Sequence, residues 1–116
     1  MAVYSEVARN ISKNPCKNIM GQAIVGLCTL ELYLPGVASL KEKRRIIKSI
    51  TQRLHNQFNV SAAETDFHDK WQRTCISIAT VSNTTQQAHK VIQSAIEFVE
   101  IQYTDTVITN QDIEIL

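Results

Sequence analysis

The chain has 116 residues, of which 44% are hydrophobic and 20% are charged, and its formal net charge is +1 at pH 7. This size and composition are typical of one compact domain, and they exclude a two-domain arrangement and an intrinsically disordered chain. The longest apolar run, residues 24–28, is far shorter than the ~20 residues of a membrane-spanning helix. The three cysteines lie far apart without a C-x-x-C pair, which favours reduced thiols over a disulfide framework or a zinc site.

Residues 1–22 show no sustained hydrophobic period and contain several Asn and a Pro. We therefore expect a poorly ordered N-terminal extension ahead of a single domain at residues 23–116. The extension also lacks the continuous apolar core and the small-residue cleavage site of a secretory signal. We accordingly expect the protein to stay in the cytoplasm.

The first predicted elements are a strand and a basic helix. Residues 24–34 alternate in polarity and are rich in Val, Leu and Thr, which predicts a strand that ends at Pro35-Gly36. Ser39 has the position of a helix N-cap, and Glu42, three residues later, completes a capping box. The apolar residues from 40 to 58 fall on one helical stripe, so the lysines and arginines of this helix are predicted to lie largely on its solvent side.

Two more strands, a second helix and a last strand follow. Residues 60–65 and 73–81 are predicted as a hairpin, and a helix capped by Ser82 or Asn83 carries an apolar stripe from Ala88 to Val99. From Val107 onward the alternation leaves neither face wholly apolar, which favours an edge strand. The order β-α-β-β-α-β predicts an α+β, ferredoxin-like sandwich, with a four-stranded antiparallel sheet and both helices on one face.

Such a sheet leaves its other face open, and apolar residues on an open face favour a homodimer. Val25 and Leu27 are predicted on this face. The third strand contributes either Ile76 and Ile78 or the odd-numbered residues to this face, and the alternation of the strand leaves both assignments open. The odd-numbered residues are Cys75, Ser77, Ala79 and Val81.

Charges are unevenly distributed along the chain. Residues 39–58 contain six cations and one anion, whereas residues 94–116 contain five carboxylates and no lysine or arginine. Clustered cations on a rigid helix can contact successive phosphates, so we predict a nucleic-acid or partner-binding face there. Its members are Lys41, Lys43, Arg44, Arg45, Lys48 and Arg53. The alternative is a solvated helix face without a binding role.

The connection between the second and third strands concentrates polar and aromatic side chains. These are Asp66, His68, Asp69, Trp71, Gln72 and Arg73. Loops often carry function, so one hypothesis is that Trp71 binds a partner. The favoured hypothesis is structural, with Trp71 covering one end of the core and Arg73 paired with Asp66 or Asp69. Three ligands from one loop form only a weak cation site, so we predict no metal and no cofactor.

The sequence has none of the common catalytic motifs, such as G-x-S-x-G, a phosphate-binding Gly-rich loop or H-E-x-x-H. His55 and His89 lie on the two predicted helices, where a surface or half-buried histidine is commoner than an acid–base catalyst. We therefore expect a protein without enzymatic activity.

Four sequence blocks follow one another in unbroken order. They are Leu30-Glu31-Leu32 with Pro35-Gly36, the S-L-K-E-K-R-R block at 39–45, Phe58-Asn59-Val60-Ser61, and Trp71-Gln72-Arg73 running on to Val81-Ser82-Asn83. Over residues 23–116 these blocks resemble the YlxP-like family of small bacterial proteins, a domain of unknown function. The resemblance implies a ferredoxin-like fold and no established enzymatic activity. Because family members are often encoded beside translation-initiation and ribosome-maturation factors, it also implies a role near the ribosome.

The main prediction is a non-catalytic cytoplasmic accessory factor that contacts RNA or a ribosomal component through its basic first helix. One alternative is a ligand-sensing module, since Pro35-Gly36 resembles the ligand turn of ACT-type amino-acid-sensing domains. Tyr33 and Leu34 stand where such modules place an acidic residue. A further alternative is a protein-binding adaptor that uses the loop at residues 66–73.

Overall fold

The computed structural model describes residues 23–116, which form one four-stranded antiparallel sheet covered on one face by two helices. The strands are β1 Ile24–Tyr33, β2 Ser61–Asp66, β3 Arg73–Ser82 and β4 Val107–Ile115, and the helices are α1 Leu40–Gln57 and α2 Thr85–Gln102. The spatial order β2-β3-β1-β4 places β2 and β4 at the edges. The predicted ferredoxin-like α+β fold is confirmed, and the predicted extension lies outside the described residues.

Helix α1 begins where the capping box predicts. Ser39 Oγ accepts a hydrogen bond from the Glu42 amide at 3.1 Å. The Glu42 carboxylate reaches back to the Ala38 amide at 3.2 Å, one residue earlier than in a standard box. These contacts satisfy amides that the first helical turn leaves without partners. Neither helix of the described chain is long and apolar enough to cross a membrane.

Helix α2 begins later than predicted and packs very close to the sheet. Its N-cap is Thr84, whose Oγ1 accepts a hydrogen bond from the Gln87 amide at 3.1 Å. The predicted caps Ser82 and Asn83 are wrong, because β3 continues through Ser82. On β1, a Cβ added at Gly26 would lie 2.7 Å from Ile92 Cδ1. The missing side chain therefore lets α2 approach the sheet.

The hydrophobic core lies between the helices and the facing side of the sheet. It contains Cys28, Leu30, Leu32, Leu34, Val37, Ile47, Ile50, Leu54, Val60, Ile76, Ile78, Ile92, Ala95, Ile96 and Val99. Cross-strand pairing puts Ile76 opposite Leu30 and Ile78 opposite Cys28, and directly opposed residues share a face. Assigning Ile76 and Ile78 to the open face is therefore wrong. Cys75, Ser77, Ala79 and Val81 lie on the open face instead. The homodimer through this face stays a prediction.

Each edge strand contains one β-bulge, and the bulge in β4 explains its mixed alternation. Ile108 pairs with Leu32 and Asn110 pairs with Glu31, so Thr109 is the extra residue. An extra residue reverses the alternation. Ile108 and Ile113 consequently share the helix-facing side despite their odd separation, because Ile113 pairs with the buried Cys28. In β2 the extra residue is Thr65.

Candidate nucleic-acid interface

Four of the six predicted cations lie together on the outer side of α1. Lys41, Arg44, Arg45 and Lys48 are all exposed, and their spacing of three, four and seven residues makes them neighbours on one side of the helix. Across residues 23–116, both ion pairs involve other cations. These four charges, which we call the basic face, are therefore available to an external anion.

Lys43 lies in the interior, so its predicted place on the solvent side is wrong. It is 1% exposed, and its Nζ lies 2.9 Å from Glu64 Oε2 and donates to the Phe67 carbonyl. Glu64 also accepts a hydrogen bond from Thr74 Oγ1 at 2.5 Å. Position 43 falls on the buried stripe of the helix, four residues before Ile47. The lysine thereby ties α1 to the β2–β3 hairpin instead of facing a partner.

Arg53 does not belong to the basic face either, because its side chain lies between the two helices. Its guanidinium donates to Tyr103 Oη and to Gln102 Oε1, each at 3.2 Å. The same group lies 5.0 Å from the centroid of the Phe98 ring, within cation–π range. Tyr103 Oη also shares a 2.7 Å hydrogen bond with Ser49 Oγ. Arg53 therefore joins α1 to α2 and is half-buried.

The outer side of α1 continues past the cations into a polar depression of about 490 Å³ between α1 and β2. Its lining residues are Thr51, Gln52, His55, Asn56, Ser61 and Ala62. His55 Nδ1 lies 3.2 Å from the Val60 carbonyl, so Nδ1 carries the proton of the neutral ring. Gln52 and Asn56 are not among the residues predicted from the sequence, because they carry no charge. Their spacing of four and eight residues from Lys48 is the signal that extends the face.

Opposite charges lie at opposite edges of the sheet. The basic face is carried by α1, which packs against the edge strand β2, whereas Asp112 and Glu114 belong to β4 at the other edge. Both carboxylates pair with open-face positions of β1, at Thr29 and Leu27. The positive and negative charges that are apart in the sequence are therefore also apart in the folded molecule. This separation gives the protein a dipole, which orients the protein in the electric field of a charged partner.

The loop at residues 66–73 is fixed at its base but exposes its tryptophan. Gln72 Nε2 donates to the Val37 carbonyl at 3.2 Å, and the Leu34 amide donates to the Gln72 carbonyl at 2.9 Å. Trp71 is 53% exposed, so the prediction that it covers the core is wrong. With Tyr33 it lines an open depression of about 530 Å³.

Arg73 pairs with Glu31 at 3.0 Å, so the predicted pairing with Asp66 or Asp69 is wrong. The reason is register: Arg73 stands opposite Tyr33 on the open face, two residues from Glu31. The guanidinium also lies 4.0 Å from the centroid of the Phe67 ring. Hydrogen bonds from Thr109 and Arg73 lower the pKa of Glu31 below its ordinary value of 4.5.

The remaining polar residues of this loop make local contacts. Asp66 Oδ1 accepts a hydrogen bond from the Phe67 amide at 2.7 Å, and His68 Nε2 lies 3.1 Å from the Glu64 carbonyl. Phe67 has a positive φ of 61°, unusual for a bulky residue. Asp69 is exposed. Within residues 23–116 no group of three or more His, Cys, Asp or Glu is arranged to hold a metal ion.

The Pro35-Gly36 turn lies beside a depression of the surface. Gly36 has a φ of +83°, a conformation that favours glycine, and its turn borders a depression of about 460 Å³ shared with residues 104–107. Ligand sensing there stays a prediction.

The two described cysteines, Cys28 and Cys75, are free thiols. Burial raises the pKa of Cys28 to about 11, so its sulfur is a neutral packing group at pH 7.

Comparisons with known proteins give the chain its family. Residues 25–113 match the family model described as protein of unknown function, DUF503. The chain is 39% identical over 77 residues to the uncharacterized protein YlxP of Bacillus subtilis strain 168, which covers 66% of this chain and 84% of that protein.

Among solved structures, the chain is similar to a C-terminal segment of the alpha subunit of aIF2 from Pyrococcus abyssi, with a TM-score of 0.47 and 14% identity. The comparison covers 86% of this chain and 53% of that one, so this chain spans about half its length. The family match runs from β1 into β4 and confirms the resemblance seen in the sequence blocks. This chain therefore belongs to the DUF503 family, the YlxP-like proteins of unknown function.

Proposed function

We propose that this protein is a non-catalytic, cytoplasmic accessory factor that associates with RNA or the ribosome through the basic face of α1. The observation that carries the proposal is the alignment of four exposed cations on one side of one helix. Cations in this arrangement bind phosphates and release counterions, which supplies affinity without reading sequence.

The anchoring of α1 supports this mode of binding. Lys43 holds the N-terminal half of the helix to the β2–β3 hairpin through Glu64, and Arg53 holds the C-terminal half to Tyr103. A helix fixed on two sides loses little conformational freedom when it binds, so more of the contact energy remains as affinity.

The acidic opposite edge also supports the proposal. A phosphate-rich surface attracts the basic face and repels the edge that carries Asp112 and Glu114. A protein with a net charge of only +1 can thus approach RNA in one orientation.

Sedimentation with bacterial ribosomal subunits at low and moderate salt tests the proposal. We expect the wild type to co-migrate with a subunit at low salt and to dissociate as salt rises, because counterion release weakens with salt. The variant Arg44→Glu/Arg45→Glu should remain at the top of the gradient. The matched control Lys70→Glu/Lys90→Glu makes the same charge change at two exposed lysines elsewhere and should behave as wild type. Equal migration of all three proteins, or no migration of the wild type at any salt, contradicts the proposal.

A protein-binding adaptor is the second candidate, favoured by the exposure of Trp71 on an anchored loop. Trp71 and Tyr33 are 53% and 42% exposed, and tryptophans presented in this way are frequent binding hot spots. The adaptor role predicts that Trp71→Ala abolishes co-migration while Arg44→Glu/Arg45→Glu does not, the reverse of the main proposal.

A further inference from the structure

We infer that the outer flank of α1 binds single-stranded RNA, with its phosphates along the basic face and one base in the polar depression between α1 and β2. The inference rests on the proposed function and specifies the ligand of that surface. It adds to the proposed function a part of the site that reads bases and not only charge.

The phosphate and base positions form one continuous surface. An α-helix rises 1.5 Å per residue, so Lys41 and Lys48 are separated by about 10 Å along the axis and Gln52 lies about 6 Å beyond Lys48. Positions 52, 55 and 56 continue the side of the helix that carries the cations. The surface is therefore cationic along its N-terminal half, and it is neutral, polar and concave along its C-terminal half.

The chemistry of the depression fits the edge of a nucleobase. Gln52 and Asn56 each offer an amide oxygen that accepts and an amide nitrogen that donates hydrogen bonds, and the Ser61 hydroxyl does both. Amide side chains recognise bases through such paired contacts. The hydrogen bond from His55 Nδ1 to the Val60 carbonyl fixes an imidazole ring, whose flat face suits stacking on a base.

The depression favours a single strand over a duplex. In double-stranded RNA the major groove is too deep and narrow for side chains to read, and the shallow minor groove is recognised mostly by its shape, whereas unpaired bases turn outward and form hydrogen bonds along their edges. A depression lined by amide and hydroxyl groups beside a row of cations therefore matches a strand whose bases are free.

Fluorescence anisotropy with short oligo(U), oligo(A) and oligo(C), and with an RNA duplex of the same length, tests the inference. We expect the wild type to prefer one base by about tenfold, the discrimination that one good pair of base contacts supplies. The variant Gln52→Ala/Asn56→Ala should bind all three alike, with the salt dependence unchanged. The matched control Gln86→Ala/Gln93→Ala alters two exposed amides of α2 and should retain the preference.

Salt titrations separate the inference from the proposed function. Arg44→Gln/Arg45→Gln should reduce the slope of log affinity against log salt by about 1.4, since each phosphate contact on a single strand contributes about 0.7, and it should retain the base preference. If the wild type binds the three oligomers equally, if it binds the duplex as tightly as the single strands, or if Gln52→Ala/Asn56→Ala keeps the preference, the base site is refuted and the phosphate face stands. If the arginine variant keeps the wild-type slope, the phosphate face itself is refuted. Circular dichroism verifies that every variant is folded.

Discussion

The two edge strands of the sheet are each tied to the fold by one carboxylate beside a bulge, but on opposite faces. At β2, Glu64 meets the buried charge of Lys43 on the helix-facing side. At β4, the bulged Thr109 donates to Glu31 at 2.9 Å, and Glu31 in turn pairs with Arg73 on the open face. The side chain of Lys43 is 1% exposed, whereas that of Arg73 is 52% exposed.

The difference in burial between the Lys43–Glu64 pair and the Arg73–Glu31 pair indicates which of them holds the basic face in place. When a buried pair loses one partner, the other charge stays in a medium that cannot solvate it, whereas water replaces the lost partner of an exposed pair. Bulges already protect both edges from pairing with other chains. The buried network at β2 has the additional role of orienting α1, and with it the basic face.

The largest expected effect is the loss of the β2 carboxylate. Glu64→Ala leaves the Lys43 ammonium in the interior with the Phe67 carbonyl as its remaining partner, and we expect the free energy of unfolding to fall by about 3 kcal/mol. Urea unfolding at neutral pH measures it. Glu100→Ala, an exposed carboxylate of α2, is the control and should change the stability little. An equal fall in the free energy of unfolding in both variants would show that the buried pair contributes no more to stability than an exposed carboxylate does.

A double variant sharpens the same point. Lys43→Met/Glu64→Gln removes both charges and keeps an oxygen that can accept from Thr74 Oγ1. Because replacing a whole buried pair costs far less than breaking it, we expect a loss of about 1 kcal/mol, less than the sum for Lys43→Met and Glu64→Gln. A complete double-mutant cycle in urea gives the coupling energy. Additive single losses would mean that the two charges do not support each other.

What the sequence predicts and what it does not depends on how local each interaction is. The capping of α1 by Ser39 and Glu42 involves residues three apart, so the motif alone located the helix start. The burial of Lys43 also had a local signal, its place on the apolar stripe with Ile47. Its partner Glu64 is 21 positions away in sequence, and only the strand pairing brings it near.

The two bulges limited the prediction of the strands and of the site. A strict period of two cannot reveal the extra residue Thr109, so the faces of β4 were mixed in the sequence and distinct in the structure. The pairing of Arg73 with Glu31 depends on a different register, that of β1 against β3, which joins residues 42 positions apart in sequence. The polar depression joins Gln52 of α1 to Ser61 of β2, and neither residue carries a charge or motif that marks it beforehand.

The smallest expected effect concerns Glu31 of β1, the carboxylate that contacts the edge strand β4, and it varies with pH and salt. Hydrogen bonds from Thr109 and Arg73 lower the pKa of Glu31 in the folded protein below 4.5. Its contribution to stability is therefore complete above pH 4.5 and disappears as the pH falls through the lowered pKa.

We expect wild type to be more stable than Glu31→Gln at neutral pH, and the gap in the free energy of unfolding to close in acid, once the pH has fallen below the lowered pKa of Glu31. High salt should also narrow the gap, because screening weakens exposed charge pairs. Urea unfolding of both proteins at the two pH values, with and without added salt, measures the gap, and NMR titration of the Glu31 carboxyl gives its pKa directly. The deficit of Glu64→Ala at neutral pH should persist in high salt, because its partner charge is shielded from ions. If salt narrowed the stability gap equally for Glu31→Gln and Glu64→Ala, a difference in burial would not distinguish the two carboxylates.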